Sequence, residues 1–422
     1  MIYFLYICNM NVKGMKWYNT LQFIVMCLAF GVVAIDWGVG LWMTLAFGVV
    51  TIVKVVAEKR VGNPSLDTPT RLSLLAVVAY WLCHVAGLLY SADVAGAVDV
   101  VSRKAILLLA PLCVLLSDMS YIGRDHLRAA FYTLLLAVAG LFFYDWITGS
   151  FEDMNHSYVA LYVVTAAAFV YRELAVHGSA MPLWLRMALY GAALMCVVFT
   201  IYIDSRAGIL CLYGVEVLCG LHFAARRGWW RGALLAVLLV GLTFTAEKTL
   251  PNHNSRITVE TVMTMTEEES EEWVKTHQDF GKYRDARMAI NVTALRAIAD
   301  RPVFGYGVGD YDTVLLERYE TEGFPVLKAE HHNAHNQYTE TALATGAVGL
   351  ASLLWWLLMP LCVAWRRRTC VWEVLVPTFI VMFCMLFESI VERQMGMQFV
   401  ALLYAMMVLA IRISRPSSGG VK

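Results

Sequence analysis

Charge is what this chain has least of. Only 16% of its 422 residues are charged and 59% are hydrophobic, whereas soluble domains run at about 25% and roughly 45–50%. The formal net charge is zero, which argues against a nucleic-acid partner. A disulfide or zinc pattern is missing too. The ten cysteines lie almost all inside apolar runs and none lies in the large polar segment, so they read as small core residues. No HExxH motif, internal repeat or low-complexity tract stands out. Met1 to Cys8 is apolar but short and has no basic residues ahead of it, so no cleavable signal peptide is expected. Met10 and Met15 stand as alternative starts.

What is there is apolar sequence in continuous runs of about 15–25 residues, the length a helix needs to cross a bilayer. The runs are not alternating, so they predict helices rather than a barrel. Twelve spans are expected, near 20–36, 38–57, 72–90, 105–117, 127–147, 157–176, 183–203, 206–223, 232–246, 338–364, 371–390 and 397–413. Residues 93–104 read as a partly buried interfacial helix. The chain divides into N-terminal spans (1–246), a large hydrophilic loop (247–337) and C-terminal spans (338–422). Every second short connection is basic, as with Lys59 and Arg60, Arg124 and Arg128, or Arg366 to Arg368. Excess Lys and Arg stay on the cytoplasmic side. Both termini are therefore expected inside and the loop outside. That loop carries 10 basic against 16 acidic residues.

Inside the loop, Glu267 to Glu272 form an acidic run that reads as a solvated helical turn. Residues 283–299 predict an amphipathic helix with an apolar stripe of Met288, Val292, Leu295 and Ala299 and a polar one of Arg284, Arg287 and Asn291. Pro302 ends it. Residues 304–310 (FGYGVGD) lack the context of a dinucleotide fingerprint and predict a tight turn packed under a site. Gly346 and Gly349 read as close helix-packing positions.

The topology sorts polar residues by side. Arg206, the Arg284 and Arg287 helix, His331 to Asn336, and Glu388, Glu392 and Arg393 all fall outside, several at span ends where an unpaired charge is costly. Arg206 opens a span directly after a very short connection. A guanidinium fork suits a diphosphate, which it can hold through two charge-assisted hydrogen bonds. His335 stands where the loop re-enters the membrane, and an imidazole can take a proton from a hydroxyl near neutral pH. Asn336 reads as the N-cap of the next span. His331, His332, His335 and Glu330 offer a zinc alternative, disfavoured by their loop context, so no metal or other cofactor is expected. Charges near the span midplanes and inverted repeats are not evident, which disfavours a transporter.

Taken together, Asp204 to Gly208, the arginine helix from Arg287, Pro302 to Gly309, and His335 to Tyr338 running into Gly346 and Gly349 resemble the O-antigen ligase family. The resemblance is strongest over about 200–365. It implies an all-helical membrane glycosyltransferase of the GT-C type, in the bacterial inner membrane, with a periplasmic site. The family moves a glycan from undecaprenyl pyrophosphate to an acceptor hydroxyl, without metal and with inversion. By this resemblance Arg206 and Arg287 would bind pyrophosphate and His335 would assist acceptor attack. Arg284, Asn336, Glu388 and Arg393 are supporting candidates. Ligation of O-antigen to lipid A–core is the leading expectation. Polysaccharide polymerisation and O-linked protein glycosylation share the same donor.

Overall fold

Each apolar run becomes a helix, and among the described residues of the computed structural model, 15–148, 156–249, 286–329 and 331–414, there is no strand. The acidic run at 267–272, Arg284 and Glu330 lie outside them. In chain order the helices are α1 (Trp17–Val32), α2 (Trp37–Glu58), α3 (Thr68–Gly87), α4 (Val94–Lys104), α5 (Ile106–Leu116), α6 (Arg124–Thr148), α7 (His156–His177), α8 (Leu183–Tyr202), α9 (Arg206–Arg227), α10 (Trp229–Thr249), α11 (Ala286–Asp300), α12 (Tyr311–Thr321), α13 (Pro325–Ala329), α14 (Gln337–Arg367), α15 (Val371–Cys384) and α16 (Gln394–Ile413). Nine are long and apolar enough to cross a membrane, and α1, α5 and α15 are shorter apolar helices. Each coincides with one of the twelve expected spans, and α4 is the partly buried helix expected over 93–104.

α16 forms the centre: nearly every residue from Gly396 to Ile411 is buried. α10 is the opposite, with only Gly232 and Thr243 buried. It clings to α9 through small residues. A Cβ on Gly232 would come within 2.3 Å of the Ala224 Cβ, and one on Gly220 within 2.5 Å of the Ala236 Cβ. Such small faces let helices approach closely where lipid offers no hydrophobic drive.

The basic connections gather at one end. Gly62 and Asn63 donate to the carbonyls of Leu116 and Leu115 at 2.7 and 2.9 Å. Arg412 donates to the carbonyls of Met119 and Ile122, and Arg367 pairs with Asp67. Burial pushes the Asp67 carboxyl up, but hydrogen bonds from Arg367 and Thr70 outweigh it and hold it down at about 2. Arg128 and Arg172 share Glu173, and Arg172 also reaches Glu373 at 2.5 Å.

At the other end α4, α11, α12 and α13 build a second, smaller core with the start of α14. Two expectations fail here. Of the expected stripe, the Met288 side chain lies outside what the structure describes, and Val292, Leu295 and Ala299 do not form the buried face of α11. That face is Ala289, Ile290, Thr293, Ala294 and Ala297, while Leu295 is 61% exposed. Small side chains win because they let the helix lie close against its neighbours. Gly346 is not a packing glycine within a continuous helix. Its φ of 65° and ψ of −160° break α14. The freed groups find partners in the glycine-rich segment. Tyr306 and Gly307 donate to the carbonyls of Leu343 and Ala344 at 2.8 and 3.0 Å, and Ala347 donates to Pro302 at 2.8 Å. Gly305, at φ 68°, has no room for a Cβ, which would meet the Leu343 carbonyl at 2.4 Å. On its far side Asp310 accepts from the amides of Ala92 and Asp93 at 2.6 and 2.8 Å. The expected tight turn is thus a brace between α14 and the α3–α4 connection.

One further correction concerns the bilayer centre. Glu216 stands midway along α9 and is fully buried, accepting from Thr243 at 2.6 Å and from Tyr171 at 3.2 Å. A midplane acid was passed over because the partners that shelter it, Thr243 and Tyr171, lie on other helices. α15 also stops early, at Cys384 instead of 390. The backbone beyond it turns to meet Gln337, whose amide donates to the Met385 carbonyl at 2.8 Å.

Candidate active site

The loop returns to the helical bundle through a hinge of side-chain to backbone hydrogen bonds. Asn333 accepts from the His335 amide at 3.1 Å. Asn336 accepts from the amides of Tyr338 and Thr339 at 2.9 and 3.2 Å, and so caps α14 as expected. Between these two turns His335 takes a left-handed φ of 45°. Histidine tolerates that region better than most residues, but it costs energy and must be held there. No helix runs through His331, His332 and His335, so the helical spacing behind the zinc alternative does not arise.

The strained turn sets His335 against Glu388. Nδ1 of His335 lies 3.7 Å from Oε2 of Glu388, whose side chain is only 7% exposed. That nitrogen is buried and has no hydrogen-bond partner among the described residues. On the other side of the ring, Nε2 lies 3.3 Å from Nδ1 of His332. An imidazole flanked by a buried carboxylate can take a proton and have the resulting cation stabilised in place.

Residues 385–393, which carry Glu388, are pinned from three helices. From α14, Gln337 donates to Glu392 at 2.8 Å and accepts from the Val391 amide at 2.8 Å. From α4, Lys104 donates to Glu392 at 2.5 Å and to the Val391 carbonyl at 3.0 Å. From α7, Tyr158 donates to the Ser389 carbonyl at 3.1 Å. Glu340, one turn into α14, accepts from the Ala334 amide and the Ser389 hydroxyl, each at 3.1 Å, and so ties the histidine loop to the Glu388 segment. Burial, then the carboxylates of Glu392 and Glu340, push the Tyr311 phenol well above its ordinary range. Lys104 is 2% exposed, and a buried ion pair of this kind costs about 3–5 kcal/mol to break.

Arg206 occupies the same end. It is the first residue of α9, capped by Ser205, which accepts from Gly208 at 3.2 Å. A Cβ on Gly208 would sit 2.6 Å from Ala160, two residues from the Tyr158 that holds Ser389. The first turns of α7 therefore support both Arg206 and the Glu388 segment. The Arg206 side chain is exposed and forms no ion pair among the described residues, nor does any hydrogen bond join it to His335. The backbone of Arg287 lies in the first turn of α11, which packs on α14; its side chain is outside what the structure describes. Arg393 is exposed and precedes α16.

Sequence reading gave no site role to Lys104, Gln337, Glu340 or Ser389. The signals were faint but present: a lysine closing an amphipathic helix, and an acid at the start of an apolar span.

Residues 191–354 match the family model described as O-antigen ligase. That match covers less than half of the chain and makes this segment similar to that family. No curated protein matches the chain. The matched segment begins within α8, takes in Arg206, α11, the glycine brace and His335, and ends inside α14 beyond the break at Gly346. Glu388 and Arg393 lie outside its bounds. Among its described residues the chain is thus all-helical, with the apolar helices of a multi-pass membrane protein, and its segment 191–354 is similar to the O-antigen ligase family.

Proposed function

We propose that this protein transfers a glycan from undecaprenyl pyrophosphate to an acceptor hydroxyl at the periplasmic face of the inner membrane, most simply O-antigen to lipid A–core. The carrying observation is the unpartnered Nδ1 of His335 facing the buried carboxylate of Glu388 at 3.7 Å. In the reaction the hydroxyl oxygen bonds to the anomeric carbon and the bond from that carbon to the pyrophosphate oxygen breaks. The hydroxyl proton passes to His335, and Glu388 stabilises the imidazolium. The leaving pyrophosphate keeps the electron pair and is met by guanidinium groups, Arg206 and Arg287, whose forks suit its oxygens. Displacement from the face opposite the leaving group inverts the anomeric centre. None of these steps draws on a metal or cofactor.

Orientation of the bundle supports the assignment of sides. The basic connections converge on the end away from His335, as the positive-inside bias requires of a periplasmic site. The test is a transfer assay with the purified full chain, a lipid-linked donor, and lipid A–core, a glycan repeat unit or a serine-containing peptide as acceptor. Product with lipid A–core, together with released undecaprenyl pyrophosphate, is the expected result. Product only with the repeat unit or the peptide would move the assignment to polymerisation or protein glycosylation. No product with any acceptor from an intact donor would overturn it.

A further inference from the structure

At the end of the bundle away from His335, the structure holds a cavity of about 1220 Å³ between the ends of α6, α7, α9, α15 and α16 and the turn after α14. Its make-up is two-part. The rim carries five arginines, Arg124, Arg128, Arg172, Arg226 and Arg368. The deeper walls are apolar, with Phe131, Phe169, Leu218, Ile380, Met406 and Met407. From Arg172 to Thr165 along α7, and from Val371 to Ile380 along α15, the lining runs about 10–13 Å into the bundle at 1.5 Å per residue.

The rim is not neutralised. Arg128 and Arg172 are matched by Asp125, Glu173 and Glu373. Arg124, Arg226 and Arg368 are exposed and form no ion pair among the described residues. Five guanidiniums against three carboxylates leave two positive charges in excess around an apolar shaft. Leu221 and Trp365, 62% and 69% exposed, stand on its walls, so the shaft borders the lipid-facing surface.

We propose that this cavity binds an anionic phospholipid, its headgroup phosphate on Arg124, Arg226 and Arg368 and its acyl chain along the apolar walls. A free phosphate would leave the shaft unfilled, and a neutral lipid would leave the three guanidiniums without a counter-charge. Basic pockets between helix ends on the positive side of a membrane protein attract anionic headgroups, each nearby arginine adding to the attraction. The site is separate from the His335 turn, and the proposal does not depend on the reaction assigned there.

Native mass spectrometry of the delipidated full chain in detergent tests it. Phosphatidylglycerol and phosphatidylcholine with identical acyl chains compete at equal concentration, with undecaprenyl phosphate and inorganic phosphate as separate competitors. The expected result is a preference for phosphatidylglycerol on the order of tenfold or more. The triple variant R124Q/R226Q/R368Q should lose the preference, and Ala225→Trp, at the rim, should lower binding of both lipids. The wild-type competition and Ala225→Trp decide the matter even if the triple variant does not fold. Equal occupancy by the two lipids, no occupancy, an unchanged preference in the triple variant, displacement by inorganic phosphate, or preferred uptake of undecaprenyl phosphate would each overturn the proposal.

Discussion

The two ends of the helical bundle handle their polar groups differently. At the basic end the buried charges are matched. Glu173, with no exposed surface, accepts from Arg128 and Arg172, and Arg367 pairs with Asp67. At the His335 end the supporting groups are matched just as fully, with Lys104, Glu392, Gln337, Glu340 and Ser389 joined in one network. Yet on top of that network sits a strained histidine with an orphan ring nitrogen. Buried polar groups are normally satisfied, so one that is not points to a group awaiting a partner. The contrast is between charges that hold helices together and charges held ready by others.

The largest way to break that contrast is His335→Ala. Loss of a general base typically lowers a rate by about 10²–10⁴. We expect transfer by the purified protein to fall by at least 10², with the protein still expressed and folded, because the ring's contacts are few and long, 3.7 Å to Glu388 and 3.3 Å to His332. Wild-type turnover in this variant would remove histidine from the chemistry.

Arg206→Lys comes next. It keeps the charge and removes the fork, and at a bidentate site that exchange is not conservative. Transfer should drop on the order of tenfold, mostly through the step in which pyrophosphate departs. Equal rates for arginine and lysine would mean that Arg206 acts only as a point charge, or not at all.

Gly346→Ala sharpens the comparison from the scaffold side. A Cβ there would lie 2.2 Å from the Val303 carbonyl, and φ is 65°. The break in α14 and its pairing with residues 302–307 would have to shift, at a cost of about 1–3 kcal/mol. Both stability and transfer should fall together, read by thermal unfolding and by the same assay. A fully active, equally stable variant would show that the brace does not position His335.

Much of this was legible in the sequence, for reasons that differ by element. The spans could be read because lipid demands long apolar runs and allows little else. The cap at Asn336 and the helix start at Arg206 could be read because their chemistry is local. The α11 stripe was misread because hydropathy ranks Leu295 above Ala289, whereas packing against α12 and α14 favours the smaller residue. The break at Gly346 was misread because its partners, residues 302–307, lie some forty positions away. Glu216 and Lys104 were missed for the same reason. A buried charge is tolerable only through partners from other helices, Thr243 and Tyr171 in one case and Glu392 in the other.

The smallest effect on activity is expected at the opposite end. Glu173→Gln keeps the size of the side chain and removes the charge that joins Arg128 to Arg172. The carboxylate accepts from Arg128 Nη2 at 2.5 Å and from Arg172 Nη1 at 3.0 Å, so both guanidiniums would lose a charge-assisted bond. An amide still accepts one hydrogen bond but presents its NH2 to the second donor, which costs about 1–3 kcal/mol. Thermal unfolding should register that loss, while transfer per folded molecule stays at the wild-type level, because residue 173 lies near the far end of α7 from Tyr158. If Glu173→Gln instead slowed transfer without lowering stability, the two ends would be coupled through α7, and the division of labour between them would have to be redrawn.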